Sequence, residues 1–184
     1  VLDLRTERGR RLARELALRV DVLLENFRPG VLERLGLEPE ALMAENPRLI
    51  VARVSGFGQS GPYRDRAGFG SVAEAMGGLR YLTGFPDRPP PRVGLSTGGT
   101  LAGLFTAFGI LAALRAREQT GQGQIVDVGL TDAVVAVLES VLTEYSALGV
   151  VRERTGNILP GVAPSNLYPT QEGRYIQIGA NADG

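Results

Sequence analysis

Two short apolar runs, VDVLLENF (20–27) and RLIVARVSGFG (48–58), do most to limit what this chain can fold into. Each is strand-length, almost continuously apolar and closed by a turn, the pattern of a buried strand. The segment between them, RPGVLERLGLEPEALMAENPRL, reads as two short helices punctuated by Pro29-Gly30, Gly36, Pro39 and Pro47. Ahead of the first run, TERGRRLARELALRV places Leu12, Ala13, Leu16, Ala17 and Val20 on one helical face, with Thr6 as its N-cap. This β–α–β rhythm predicts a parallel α/β sheet.

From Gly56 to Gly99 glycine and proline crowd the chain, as in FPDRPPPR, and only one short helix is expected, near Ser71–Gly77. Loops this long are usually functional or lie at an interface. An apolar helix is predicted from about Thr100 to Arg117, ended by EQTGQGQ. IVDVGL is a strand, and Thr131 or Asp132 caps a helix running to about Ala147. RYIQIGA forms a last strand after a Pro/Gly-rich connection. No stretch reaches the ~18 consecutive apolar residues of a membrane span, and the first residues are too charged for a signal peptide. The chain opens without Met and stops directly after a strand pattern. The expectation is a cytoplasmic piece of a longer protein, without a membrane partner.

Missing residue types restrict the chemistry. All 20 basic residues are Arg, balanced by 20 acidic ones, so the net charge is zero and no nucleic-acid partner is expected. Without Cys, His or Lys there is no thiol nucleophile, imidazole base or Schiff base, and no His- or thiolate-held metal. Covalent catalysis within these residues falls to Ser, Thr, Tyr or a carboxylate.

Four stretches invite a functional reading. Gly56-Phe57-Gly58-Gln59-Ser60-Gly61 spells G-x-G-x-x-G after a strand, but Pro62 follows and no amphipathic helix opens there, so a plain loop is expected. Gly94-Leu95-Ser96-Thr97-Gly98 spells G-x-S-x-G, yet a proline-rich segment replaces the strand a nucleophile elbow needs, and no His is present to activate Ser96. ENFRPG (25–30) ends a strand with Asn26, Phe27 and Arg28: an amide, a flat stacking face and a forked cation, suited to a nucleotide at a sheet edge. VGLSTGG (93–99) runs straight into the apolar helix, presenting hydroxyls and free N–H donors to an anion.

Taken together, DVLLENFRPGVLERLGL, NPRLIVARVSGFGQSGPY, AGFGSVAEAMGGLRYLTG and FGILAALRAREQTGQGQIVDVGLTDAV resemble, in order and spacing, the class III CoA-transferase family. This is the CaiB/BaiF group, which includes formyl-CoA:oxalate CoA-transferase. The resemblance implies an α/β fold: a Rossmann-like parallel-sheet large domain, the start of a smaller α/β domain, and an interlocked homodimer. On that basis residues 1–130 are part of the CoA-binding domain, 131–152 a linking helix and 153–184 the beginning of the small domain. The family moves CoA between carboxylic acids through an Asp that forms acyl-anhydride and aspartyl-CoA intermediates. Coenzyme A is its substrate and carrier, and it needs neither a further cofactor nor a metal.

Carried over by motif, Asn26, Phe27, Arg28 and Arg34 fall where the family binds CoA, and Leu2, Asp3 and Arg5 match a stretch near the adenosine end. Ala67, Gly68, Phe69 and Gly70 match a site-lining segment, and Gly161, Val162 and Ala163 a glycine loop over the site. The family's nucleophilic Asp stands ten residues before the position of Gly109; here that position is Gly99. Many relatives also carry Asp where Gly70 stands. The resemblance therefore implies a CoA-transferase whose own reaction is impaired. A non-catalytic CoA-binding or dimer-scaffolding relative is the alternative. The acyl-CoA racemase branch fits less well, because Phe69 stands where its His would be.

Overall fold

Thr6 starts the first helix where the sequence expects it. In the computed structural model, which describes residues 1–180, its hydroxyl accepts the Gly9 N–H at 3.0 Å at the head of α1 (Glu7–Ala17). Then come β1 (Val22–Glu25), α2 (Val31–Arg34), α3 (Pro39–Glu45) and β2 (Ile50–Ser55), in the predicted order. After the Gly-rich loop lie α4 (Gly70–Met76), α5 (Leu79–Leu82), α6 (Thr97–Thr120) and β3 (Ile125–Gly129). The chain continues through α7 (Leu130–Val135), α8 (Val141–Leu148), β4 (Ser165–Pro169) and β5 (Tyr175–Gly179).

The expected mixed α/β fold is present. β1, β2 and β3 form a parallel sheet in that order, with Glu25 opposite Arg53 and Ser55 opposite Gly129. Ile50, Val51 and Ala52 of the central strand are fully buried. β1 is shorter and more open than its sequence suggests. It is an edge strand of this sheet, and Leu24 is 60% exposed. The core under α1–α3 gathers Ala17, Leu32, Leu37, Leu42, Leu49 and Val51. Leu16 and Val20, predicted on the buried face of the first helix, are exposed. α1 docks through small Ala17 instead.

α6 begins three residues before its predicted start. By length and composition it could cross a bilayer, a property the sequence reading did not assign. It packs along β2 and β3 on a side that buries Ala102, Thr106, Ala113 and Arg117. Gly109 permits the approach, because a Cβ there would lie 2.7 Å from Val126 Cγ1.

The chain divides into two compact units: Val1–Gly77 with Ser96–Val137, and Gly78–Leu95 with Leu138–Gly184. In the second, β4 and β5 pair antiparallel. Arg152 pairs with Glu139 and Glu144, and Arg154 donates to the Tyr81 carbonyl at 2.8 Å. Three expectations are corrected here. The linking helix of 131–152 is not one helix but α7 and α8, interrupted where Glu139 adopts φ +54°; Gly129, not Thr131 or Asp132, precedes the first of them. The connection before the last strand itself contains β4. Of the predicted small-domain stretch 153–184, residues 181–184 lie outside those described.

Candidate functional site

Adjacent strands and one helix fix the end of β1. Glu25 is buried, and its Oε1 accepts from Arg53 Nε at 2.7 Å, across the β1–β2 register. Its Oε2 accepts the Phe27 N–H at 2.7 Å, turning the chain so that Asn26, Phe27 and Arg28 leave the sheet at its C-terminal edge. Arg53 Nη1 also pairs with Glu33 Oε1 of α2 at 2.9 Å. Burial disfavours charge on Arg53, but the two carboxylates outweigh it and hold its pKa above the ordinary value. Burial likewise opposes ionisation of Glu33. Backbone hydrogen bonds and Arg53 prevail there and keep its carboxyl below the usual range.

Two glycines bring the next segment back to this edge. A Cβ on Gly56 would lie 2.6 Å from Gly68 Cα, and one on Gly68 would lie 2.7 Å from Gly56 Cα. Only backbone against backbone fits, and this contact returns residues 66–70 to the end of β2. The G-x-G-x-x-G stretch is thus a structural loop: the Gln59 N–H donates to Asp127 Oδ2 at 2.8 Å, and the Thr131 hydroxyl to the Gly56 carbonyl at 3.0 Å. The next helix begins only at Gly70.

α4 and α6 meet at their first turns. Buried Glu74 accepts the Gly98 N–H at 3.1 Å. A Cβ on Gly70 would have the Gly99 nitrogen at 3.7 Å as its nearest neighbour, while one on Gly99 would meet nothing within 4 Å. The two glycines therefore stand side by side. They open onto a cavity of about 380 Å³ whose walls include Asn26, Phe27, Arg28, Gly68 and Phe69. A second cavity of about 430 Å³ shares Asn26, Val54 and Gly99 and continues along α6 past Gly103 and Thr106 to Ile110.

The predicted residues divide by position. Asn26, Phe27, Arg28, Gly68, Phe69, Gly70 and Gly99 surround the first cavity; Ala67 lies among them in sequence but not on its wall. Arg34 ends α2 with its guanidinium beside Gly30, away from both cavities. Leu2, Asp3 and Arg5 also lie off the cavity walls. Asp3 binds Arg5 through both carboxylate oxygens, at 2.9 and 3.0 Å, and this partner lowers its pKa. Gly161, Val162 and Ala163 belong to the second unit, in the loop before β4, where Gly161 has φ +80°. Ser96 makes no capping bond, and no strand precedes it. The wall residues not anticipated include two with polar side chains: Arg66, immediately before the expected segment, and Ser55, the last residue of β2. Among the described residues no acidic cluster could hold a metal.

The model of CoA-transferase family III matches residues 1–184, the whole chain. The chain belongs to that family. It is 60% identical over 182 residues to succinyl-CoA–D-citramalate CoA-transferase of Chloroflexus aurantiacus, covering 99% of this chain and 45% of that protein. To acetyl-CoA:oxalate CoA-transferase of Acetobacter aceti it is 43% identical over 177 residues, covering 96% of this chain and 46% of the relative. A CaiB/BaiF family protein from Brucella suis superposes with a TM-score of 0.88 at 41% identity, over 95% of this chain and 46% of that one. The chain spans about half the length of the curated relatives it matches.

Proposed function

We propose that this chain is the CoA-binding part of a family III CoA-transferase in which Gly99 occupies the position of the nucleophilic Asp. The observation that carries the reading is the meeting of Gly99 and Gly70 with Asn26, Phe27 and Arg28 around one cavity. Arg28 supplies a forked cation for a CoA phosphate, Phe27 a stacking face and Asn26 an amide. Arg34 would extend the same cationic path from α2. Leu2, Asp3 and Arg5, and the loop of Gly161, Val162 and Ala163, are proposed to complete CoA binding in the whole protein. Names of the relatives favour succinyl-CoA or acetyl-CoA as donor and a dicarboxylate as acceptor.

Glycine cannot form an acyl anhydride, so transfer through an aspartyl intermediate stops at this position. Loss of a covalent nucleophile costs on the order of 10⁶ in rate where it has been tested. Neighbouring Thr97 and Thr100 carry hydroxyls with no base to activate them. A non-catalytic CoA-binding role is the second reading, favoured by the same Gly99. The racemase branch is disfavoured by Phe69, an exposed phenyl ring that takes no proton. A homodimer in the cytoplasm fits the family, and the exposed side of α6, with Leu104, Phe108 and Leu111, is the surface that supports association.

The test is acyl-CoA exchange with labelled succinate, run on the chain as it stands and on Gly99→Asp. Exchange through a covalent intermediate in the variant, and none by that route in the parent, is expected. Absence of exchange in both, with CoA binding retained, would favour the non-catalytic role.

A further inference from the structure

We propose that Glu74 is a positioning residue: from α4 it holds the first turn of α6 and so fixes the direction in which a group at position 99 points. This role rests on the CoA-transferase reading.

Gly70 and Glu74 stand four residues apart on α4, hence on one face of that helix. That face meets the head of α6 twice. The place of a Gly70 Cβ lies 3.7 Å from the Gly99 nitrogen, and Glu74 Oε1 accepts the Gly98 N–H at 3.1 Å. Ser96, the residue ahead of α6, makes no side-chain capping bond, so the cap comes from α4 instead. A carboxylate suits that place, because a 24-residue helix has its positive end there. Glu74 is 2% exposed, and burying a carboxylate is costly unless donors meet it.

Gly98 is held from the other directions by contact. A Cβ there would lie 3.1 Å from the Gly70 carbonyl oxygen, 3.4 Å from Glu74 Cγ and 3.5 Å from Val134 Cγ2. Packing against α4 and α7 stops the turn from moving inward, and the bond to Glu74 stops it from lifting away. Position 99 comes next in the chain. Nothing stands within 4 Å of the place of its Cβ, so no neighbouring atom steers a side chain there. Its direction is set by the backbone of the first turn, which Glu74 holds through Gly98. Misplacing a reacting group by about 1 Å can cost on the order of 10²-fold in rate. Glu74 is on the wall of neither cavity, so it acts through the turn and not on the ligand.

The test is exchange of labelled succinate with succinyl-CoA by the 184-residue chain carrying Gly99→Asp, alone and combined with Glu74→Ala, Glu74→Asp or Glu74→Gln. Melting temperature and helical content are recorded for each. Glu74→Asp keeps the charge on a side chain one methylene shorter, and Glu74→Gln keeps the length and an accepting oxygen. With Glu74→Ala and Glu74→Asp, kcat should fall about tenfold or more while KM for succinyl-CoA stays within about twofold. Glu74→Gln should restore most of that loss. In the chain with Gly99 retained, Glu74→Ala and Glu74→Asp should speed amide hydrogen exchange at residues 97–100 about tenfold, and Glu74→Gln should do so far less. Equal kcat with and without the Glu74 changes, beside an active Gly99→Asp chain, would overturn the positioning role and leave the transferase reading standing. So would a loss of kcat in the glutamine variant as large as in the alanine variant. An inert Gly99→Asp chain would remove the transferase reading, and this role with it.

Discussion

On the proposed reading, glycine in place of aspartate at positions 99 and 70 alters the site through charge more than through shape. A carboxylate at either position would face Arg28 and Arg66 across one cavity. At Gly99 it would also occupy the first turn of α6, where a negative charge is favourable by ~0.3–1 kcal/mol. Replacing a helical glycine by aspartate, itself a weak helix former, adds only about 0.3 kcal/mol more. Because nothing crowds its Cβ, Gly99→Asp should melt no lower than the parent, as circular dichroism would record. Gly56 is the opposite case. Gly56→Ala places a methyl 2.6 Å from the Gly68 backbone and should cost about 1–3 kcal/mol in urea unfolding, an overpacking penalty. An unchanged midpoint would contradict the back-to-back contact. The places of Asn26, Phe27 and Arg28 on the cavity wall were legible from a motif that closes a strand, and that of Gly99 from its spacing of ten residues before Gly109. Arg66 and Ser55 were not, since a solvated loop arginine and a strand-end serine look ordinary until the fold sets them on one wall.

At the scale of elements, a buried ion network holds β1 to its neighbours. Glu25 and Arg53 lie 28 residues apart and meet only once β1 and β2 take their register, so a linear reading passes over them. Removing one partner of a buried pair typically costs about 3–5 kcal/mol, because the other charge is left unmatched. Arg53→Met should therefore lower stability by about that much and loosen Asn26–Arg28, read as weaker CoA binding. Glu33 sets the sign of the acid response. Its folded pKa lies below the ordinary 4.5, so its contribution is complete above that value and lost as pH falls through the folded pKa. Urea midpoints of the parent should fall more steeply below about pH 4.5 than those of Glu33→Gln. Strand periodicity and the apolar run of α6 were readable because packing obeys them. The break between α7 and α8 was not, since it depends on one backbone angle at Glu139 in an otherwise helical stretch. β4 escaped notice because Pro164 and Pro169 gave its segment the composition of a connection.

At the scale of the whole molecule, α6 buries one side on the sheet while Leu104, Phe108 and Leu111 stay 63%, 74% and 65% exposed. If a second copy covers this side, Phe108→Glu should shift sedimentation from dimer to monomer without lowering helical content. A parent already monomeric at the same concentration would refute that assembly. In the function proposed above, Gly99 holds the nucleophile's position within a CoA site. Intact-mass spectrometry after incubation with succinyl-CoA tests it most directly. A covalent CoA adduct on Gly99→Asp, mapped to position 99 and absent from the parent chain, is the predicted result. An adduct on the parent, or one on the variant mapping to another residue, would contradict it.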